Sequence, residues 1–332
     1  MASETAEQPA VWRRLLAESG PSGASGVDAA AALVRRRSPR FVLLVARGTS
    51  DHAALYAKYL VEITLGLPAG LVSPSTFTAY GARPDLRDVL MIAVSQSGGS
   101  PDLLRTLEVA KAGGALTVSV TNNAGSALAT TADAHVDVLA GAERAVAATK
   151  SYTAQLLALY LLLGGAPSSA APLPDLGAGV LDRDAEIAAL ATRYRFAERM
   201  ITTGRGYSYP TAREAALKLM ETAYVSAQAF SGADLLHGPL ALVEPRVPVL
   251  TVVSAGRGGE AFRPVLDALA ERRADVLTVG SAAAGIRLPE TSDALAPLLE
   301  ILPFQLLARH VAVDRGGDPD APRGLRKVTE TL

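Results

Sequence analysis

One order of elements occurs twice along this chain, and that repetition limits the fold more than any single motif. The first copy begins with an apolar run, Phe41 to Ala46, ending in Arg47-Gly48-Thr49. It continues with Val89-Leu90-Met91-Ile92-Ala93-Val94-Ser95, then Gly98-Gly99, a helical pattern from Leu103 to Ala112, and the apolar run Ala115 to Val120. The second copy begins with Arg199 to Thr203 and Gly204-Arg205-Gly206. It continues with Val247 to Ser254, Gly258-Gly259, a helical pattern from Phe262 to Leu269, and Ala274 to Val279. A strand–turn–helix–strand order recurring after roughly 160 residues indicates a duplicated domain. Short apolar runs alternating with helical patterns predict βαβ units, each a parallel sheet covered by helices on both faces. The expected class is therefore α/β, with two tandem flavodoxin-like, three-layer domains.

The length of 332 residues suits that reading, since it matches two domains of about 150 residues each. We place the first domain at residues 24–166 and the second at 180–317, followed by a C-terminal tail at 318–332 expected to lie over the active site. Gly164 to Leu176, rich in Ala, Pro, Ser and Gly, reads as the linker, and Asp182 to Glu198 as a helix leading into the second domain. Trp12 to Ala17 has helical spacing and is a candidate to pack across a partner chain.

Composition removes several functions. There is no cysteine, so disulfides, thiolate nucleophiles and thiolate metal sites are absent, and so is the nucleophile of a glutaminase-type amide hydrolysis. Net charge is −1, with no basic stripe interleaved with aromatics, which argues against nucleic acid as a partner. Met1 to Pro9 is polar and acidic rather than a basic region followed by an apolar one, so no signal peptide is expected. The most apolar run, Leu156 to Gly165, is too short for a membrane span. A cytoplasmic protein needing neither metal nor cofactor is the expectation.

The chemistry-bearing segment is Ser95-Gln96-Ser97-Gly98-Gly99-Ser100, between an apolar strand and a helix. Parallel sheets bind ligands beyond the carboxyl ends of their strands. Three hydroxyls, an amide, permissive glycines and a helix N-terminus suit a phosphate dianion. Pro101 and Asp102 fit a helix start. A plain serine-rich turn capped by Ser100 reads equally well from spacing alone. A second hydroxyl loop, Gly48-Thr49-Ser50-Asp51, stands at the equivalent place after the preceding strand and favours the phosphate reading, with Thr49 or Ser50 nearby.

These loops, together with Val146-Ala147-Ala148-Thr149-Lys150-Ser151-Tyr152, Glu214 to Glu221, Leu236-His237-Gly238-Pro239-Leu240-Ala241-Leu242, Pro303 to Ala308 and Pro322 to Lys327, resemble the SIS (sugar isomerase) domain family. Across residues 40 to 330 the chain looks like the isomerase half of glucosamine-6-phosphate synthase, and still more like the stand-alone SIS-type glucosamine-6-phosphate deaminases.

The resemblance assigns roles. Glu221 matches the carboxylate that moves a proton between C1 and C2 of the sugar, and Lys218 a lysine near the reacting end. By spacing alone these two are an i,i+3 pair that could be a plain surface ion pair. His237 matches the ring-opening histidine, which in relatives comes from the partner subunit, and histidine suits acid–base work near neutrality. Lys327 matches the lysine that forms a Schiff base with the open-chain sugar. Glu143, at the start of an expected helix Val146 to Tyr152, and Val146 itself match residues near the sugar. His52 is a second histidine candidate, whereas His135 and His310 are read as structural. The chain departs from the synthase where Gly99 replaces Glu, Ala148 replaces a sugar-binding Ser, and Met220 replaces Lys.

The resemblance thus implies a homodimeric enzyme that converts glucosamine 6-phosphate to fructose 6-phosphate and ammonia through removal of the C2 proton. On an N-acetylated sugar the same proton abstraction would instead expel the C3 hydroxyl, making the protein a dehydratase. A deglycase acting on a sugar–amine conjugate is a further alternative. A non-catalytic sugar-phosphate sensor is the alternative of another class, disfavoured because residues before 25 leave little room for a DNA-binding helix-turn-helix.

Overall fold

The computed structural model describes residues 1–327; residues 328–332, part of the tail expected over the active site, lie outside the described residues. The chain divides into two compact units. One comprises residues 10–143, 150–172 and the described end of the chain from 326; the other comprises 1–9, 144–149 and 173–325.

The first unit holds β1 (Phe41–Val45), β2 (Ala69–Leu71), β3 (Val89–Ser95), β4 (Leu116–Thr121) and β5 (Ala134–Asp137). They pair in the order β2-β1-β3-β4-β5, and every neighbouring pair is parallel. β3 is an unbroken apolar run because it lies in the middle, where helices cover both faces; six of its seven residues are buried. The edge strand β2 is short and half exposed. Helices Thr49–Leu60 and Pro101–Ala112 follow β1 and β3. Leu103 and Leu107 of the second of these pack on Val45 and Met91 of the sheet. The helix Lys150–Leu162 is buried along all 13 residues, so it shows no polar stripe.

The second unit repeats the plan. β6 (Arg199–Gly204), β7 (Ser226–Ser231), β8 (Pro248–Val252), β9 (Asp275–Gly280) and β10 (Ile286–Arg287) pair in the order β10-β9-β8-β6-β7, again all parallel. Counted from β6, this is the strand order of the first sheet. Here Phe262, Val265 and Leu269 pack against Ile201 and Val249. The duplication expected from the two sequence copies is therefore present, and both sheets are of the three-layer α/β type.

Several local expectations give way. The presumed linker carries two helices, Pro167–Ala170 and Leu173–Leu181, with Ala170 and Leu173 fully buried, because its alanines and leucines bury apolar surface despite the prolines. The helix expected over 182–198 runs only from Asp184 to Ala191, followed by a short 3-10 turn. Trp12 lies in Gln8–Ala17, is fully buried, and donates its indole N–H to Thr153 Oγ1 at 3.1 Å, so it packs within its own unit. The helix Ala296–Asp314 is long and apolar enough to cross a membrane, a length the sequence reading did not find. Since 83% of that stretch is buried, it is a core helix.

Candidate active site

β1 and β3 pair in register from Phe41↔Val89 to Val45↔Ala93, so their carboxyl ends lie side by side. In a sheet of order 2-1-3-4-5 this is the switch point where crossovers leave to opposite faces and a crevice opens. The loops Arg47–Ser50 and Ser95–Ser100 both start there. They are strapped together by Arg47, whose Nε donates to Oδ2 of the buried Asp102 at 2.7 Å. Asp102 also accepts the backbone N–H of Leu103 at 2.9 Å.

The Ser95–Ser100 loop is internally organised. Ser95 Oγ accepts the N–H of Gly98 at 3.1 Å, and Ser97 Oγ that of Gly99 at 3.3 Å. Gly98 has φ +66°, and a Cβ on it would fall 2.1 Å from Ser126 Oγ, so no other residue fits the turn. Ser100 is the N-cap of Pro101–Ala112 but its side chain makes no capping bond, unlike the plain capped turn the spacing also allowed. Gln96, Ser97 and Ser100 are half exposed, whereas Ser95 is buried. In the neighbouring loop Thr49 is half exposed. Ser50 faces inward, where its hydroxyl accepts from Gln155 Nε2 at 3.1 Å. His52 is buried one turn on.

Glu143 is in the same unit. Its carboxylate accepts the N–H and hydroxyl of Ser151, at 3.2 and 2.5 Å, at the start of Lys150–Leu162, where an anion offsets the positive end of the helix. Lys327 Nζ donates to Glu143 Oε2 at 3.1 Å. The helix expected from Val146 begins only at Lys150. In the other unit, the Glu4 carboxylate takes the N–H of Arg144 and Ala145, and Asp320 O takes that of Val146 at 3.3 Å, which fixes this stretch as irregular backbone before the helix.

The second unit carries Lys218, Glu221 and His237. The helix Ser208–Ala223 sets Glu214, Lys218 and Glu221 on one face. Lys218 is fully buried, with Nζ 3.2 Å from Glu214 Oε1 and in a short contact with Glu221 Oε2. Burial opposes the charge on Lys218, but the Glu214 and Glu221 carboxylates outweigh it and hold its pKa above the ordinary value. Glu214 is fully buried too, whereas Glu221 keeps 21% of its side chain exposed. The plain surface pair that spacing allowed is thus excluded: this is a desolvated cation between two carboxylates, one of which reaches the surface. Glu214 was not singled out from the sequence, although its place four residues before Lys218 was a usable signal.

His237 ends the helix Gly232–Leu236, and Gly238 after it has φ +142°, so the ring stands at a sharp turn. It is exposed, and among the described residues it makes no side-chain hydrogen bond or ion pair. His135 and His310, read as structural from the sequence, each have a side-chain partner within the fold. His135 Nε2 lies 2.9 Å from Thr121 Oγ1, with burial holding its pKa down, and His310 Nε2 lies 2.7 Å from Asp184 Oδ1. Glu300, hidden in the apolar core helix, is a further acid missed in the sequence. Its oxygens accept from Ser208 Oγ at 2.9 Å and Thr211 Oγ1 at 3.3 Å, and burial raises its pKa to about 7. Among the described residues no group of acids and histidines is arranged to hold a metal ion.

Residues 37–164 and 194–313 match the SIS domain. Glutamine–fructose-6-phosphate aminotransferase (isomerizing) from Methanothermobacter thermautotrophicus is 36% identical over 301 residues, covering 86% of this chain and 51% of that protein. The chain thus spans about half the length of the curated relatives it matches. The C-terminal domain of glucosamine-fructose-6-phosphate aminotransferase from Francisella tularensis superposes with a TM-score of 0.87 at 29% identity, over 96% of this chain and 97% of that one. Glucosamine-6-phosphate deaminase from Thermotoga maritima shares the fold, with a TM-score of 0.77 at 22% identity over 97% and 99% of the two chains. The matched segments coincide with the two sheets and their helices, and the chain belongs to the SIS domain family.

Proposed function

We propose that the protein is a phosphosugar isomerase of the SIS type acting as a deaminase, converting glucosamine 6-phosphate to fructose 6-phosphate and ammonia. The observation that carries this reading is the desolvated Lys218 between Glu214 and Glu221, since a buried charge cluster ending in a half-accessible carboxylate is what a proton-transfer site requires.

In this reading Gln96, Ser97, Ser100 and Thr49 hold the phosphate beside the N-terminus of Pro101–Ala112, with Ser95 shaping the loop and Ser50 supporting it from within. His237 opens the ring. Glu221 takes the C2 proton of the open-chain aldehyde and returns it at C1, which leaves a C2 imine; water then replaces nitrogen at C2 and ammonia departs. Lys218 pairs with Glu221 and fixes the position of its carboxylate, and its cationic charge offsets the developing oxyanion. Lys327 is the amine available to the sugar carbonyl, and Glu143 and Val146 line the sugar. Deamination is preferred over synthesis because Gly99, Ala148 and Met220 depart from the synthase pattern. The working unit is a homodimer in which His237 serves the neighbouring subunit; its exposed, unbonded ring and the exposed Leu236 beside it support this.

The test is to incubate the protein with glucosamine 6-phosphate and with its N-acetyl form, following ammonia and ultraviolet absorbance. Ammonia from the free amine supports the proposal. An absorbing product from the acetylated sugar without ammonia replaces it with a dehydratase. Tight binding of either sugar without turnover replaces it with a sensor.

A further inference from the structure

The first sheet has a second end, and it is built differently. At the amino ends of β1, β3 and β4 lies a cleft of about 240 Å³, lined by Arg37, Arg87, Asp88, Pro39, Val89 and Leu116, with Gly114 at its base. Val89 and Leu116 are the first residues of β3 and β4. β3 has seven residues, so at about 3.3 Å per residue the cleft lies roughly 20 Å from the Ser95–Ser100 loop.

Three features converge there. The first is charge. Residues 35–40 and 83–88 carry six arginines (Arg35, Arg36, Arg37, Arg40, Arg83 and Arg87) against two aspartates, in a chain whose net charge is −1. Among the described residues Arg35, Arg36, Arg37 and Arg40 make no side-chain hydrogen bond or ion pair, and all are exposed. The second is preorganisation. Arg87 is held by Asp85, with Nε 2.9 and 3.0 Å from its two carboxylate oxygens, and its stem packs over Gly114, where a Cβ would stand 2.9 Å from Arg87 Cγ. That fork occupies one edge of the guanidinium and leaves Nη1 to donate elsewhere. The third is the backbone. Ser38 (φ +47°) and Asp88 (φ +64°), on the two rims, are both left-handed without being glycine, and the N–H of Arg40 ties the rims together by donating to Asp88 O at 2.8 Å. Ser38 is the left-handed cap that ends the helix Val27–Arg37 and so sets Arg37 on its rim; Asp88 is the residue whose sparsely populated backbone is of the kind that concentrates at ligand clamps.

We infer that this cleft is a second ligand site, distinct from the sugar-phosphate loops, that takes a small polyanion of oxygen acids: a phosphate ester or a polycarboxylate. Arg37 and Arg87 grip the oxyanion, as planar guanidinium donors do, and Pro39, Val89 and Leu116 form an apolar wall for a short organic body. Arg35, Arg36, Arg40 and Arg83 raise the local positive potential and draw the anion in. The site does not depend on the reaction proposed above.

The test is isothermal titration of the whole protein at about 50 mM salt with pyrophosphate and, separately, with citrate, so that the two anion chemistries are distinguished. The probes are run against wild type, Arg37→Ser, the double variant Arg37→Ser with Arg87→Ser, and the front-loop variant Ser97→Ala with Ser100→Ala. At least one probe is expected to bind wild type and the front-loop variant equally, to weaken about tenfold in Arg37→Ser, and to be lost in the double variant. Melting temperatures check that the exposed substitutions leave the fold intact; Arg37→Ser, which breaks no bond, keeps the test valid if removing Arg87 does not. Four outcomes overturn the inference: neither probe binds wild type below millimolar, binding survives in the double variant, it disappears instead in the front-loop variant, or it weakens equally when Arg105, which does not line the cleft, is changed to Ser.

Discussion

Tyr224 and Arg323 hold each other twice. The Tyr224 hydroxyl accepts the backbone N–H of Arg323 at 2.7 Å, and the Arg323 guanidinium lies 4.7 Å from the centre of the Tyr224 ring. Tyr224 ends the helix that carries Lys218 and Glu221, and is itself left-handed at φ +55°. The tail is thereby tied to that helix. Together a hydrogen bond and a cation–π contact contribute about 1.5–2 kcal/mol to local order. Tyr224→Ala is expected to speed amide exchange of residues 318–325 roughly tenfold, whereas Tyr224→Phe, which keeps the ring, has a smaller effect. Hydrogen-exchange mass spectrometry reads this directly; unchanged exchange in Tyr224→Ala would show that the tail is held elsewhere.

In the proposed mechanism Glu221→Gln removes the proton carrier while retaining shape. Turnover of the true substrate is expected to fall by about a hundredfold or more with little change in binding, measured by steady-state kinetics beside equilibrium titration. Near-normal turnover would reassign the proton transfer.

In the proposed mechanism Ser97 holds the phosphate, so Ser97→Ala acts remotely from the reacting carbons. It is expected to raise KM several-fold at nearly constant kcat, because phosphate binding is shared by ground and transition states. A change confined to kcat would place Ser97 in the chemistry instead.

Glu300 sets a pH term in stability. Its folded pKa of about 7 lies above the ordinary 4.5, chiefly through burial, with Asp293 adding to the effect. The native state therefore binds this proton more tightly than the unfolded chain does. Its contribution is fully present below about pH 4.5 and is lost as pH rises toward 7, amounting to a few kcal/mol at most. Glu300→Gln, which can still pair with Ser208 and Thr211, is expected to raise the melting temperature above pH 7 and to flatten its decline between pH 5 and 7. Parallel melting curves for the two proteins across that range would refute the assignment.

His237→Ala and Glu221→Gln are each expected to be inactive, yet mixing them under conditions of subunit exchange should restore activity if His237 serves the neighbouring subunit. No recovery despite demonstrated exchange leaves His237 acting within its own chain.

The fold was legible where period and burial agree. β3 and β8 are apolar runs too short for helices and followed by glycine turns, and both are central parallel strands. The duplicated order then fixed the topology. Where the sequence misled, tertiary contacts prevailed. The helix expected over 146–152 begins only at Lys150, and Val146 is held instead by the backbone oxygen of Asp320. The 164–176 segment looks like a linker, but its apolar residues are needed in the core. In the site, the spacing of Lys218 and Glu221 showed which residues share a helix face. It could not show that the face is buried, so Glu214, which makes the cluster, went unremarked. Glu300 was hidden for the opposite reason, a lone acid in an apolar stretch whose hydroxyl partners lie about 90 residues away along the chain.

The contact between Lys327 and Glu143 has a consequence for the protein at rest. A free lysine amine near an open sugar site would react with any aldehyde that wandered in, and the adduct could block the site. Held 3.1 Å from Glu143 Oε2, the Lys327 amine has a carboxylate oxygen seated against it, on one of the sides from which a carbonyl carbon would have to approach. In the proposed mechanism the sugar that displaces this contact is the one that gains the amine, which couples the nucleophile's availability to a seated substrate.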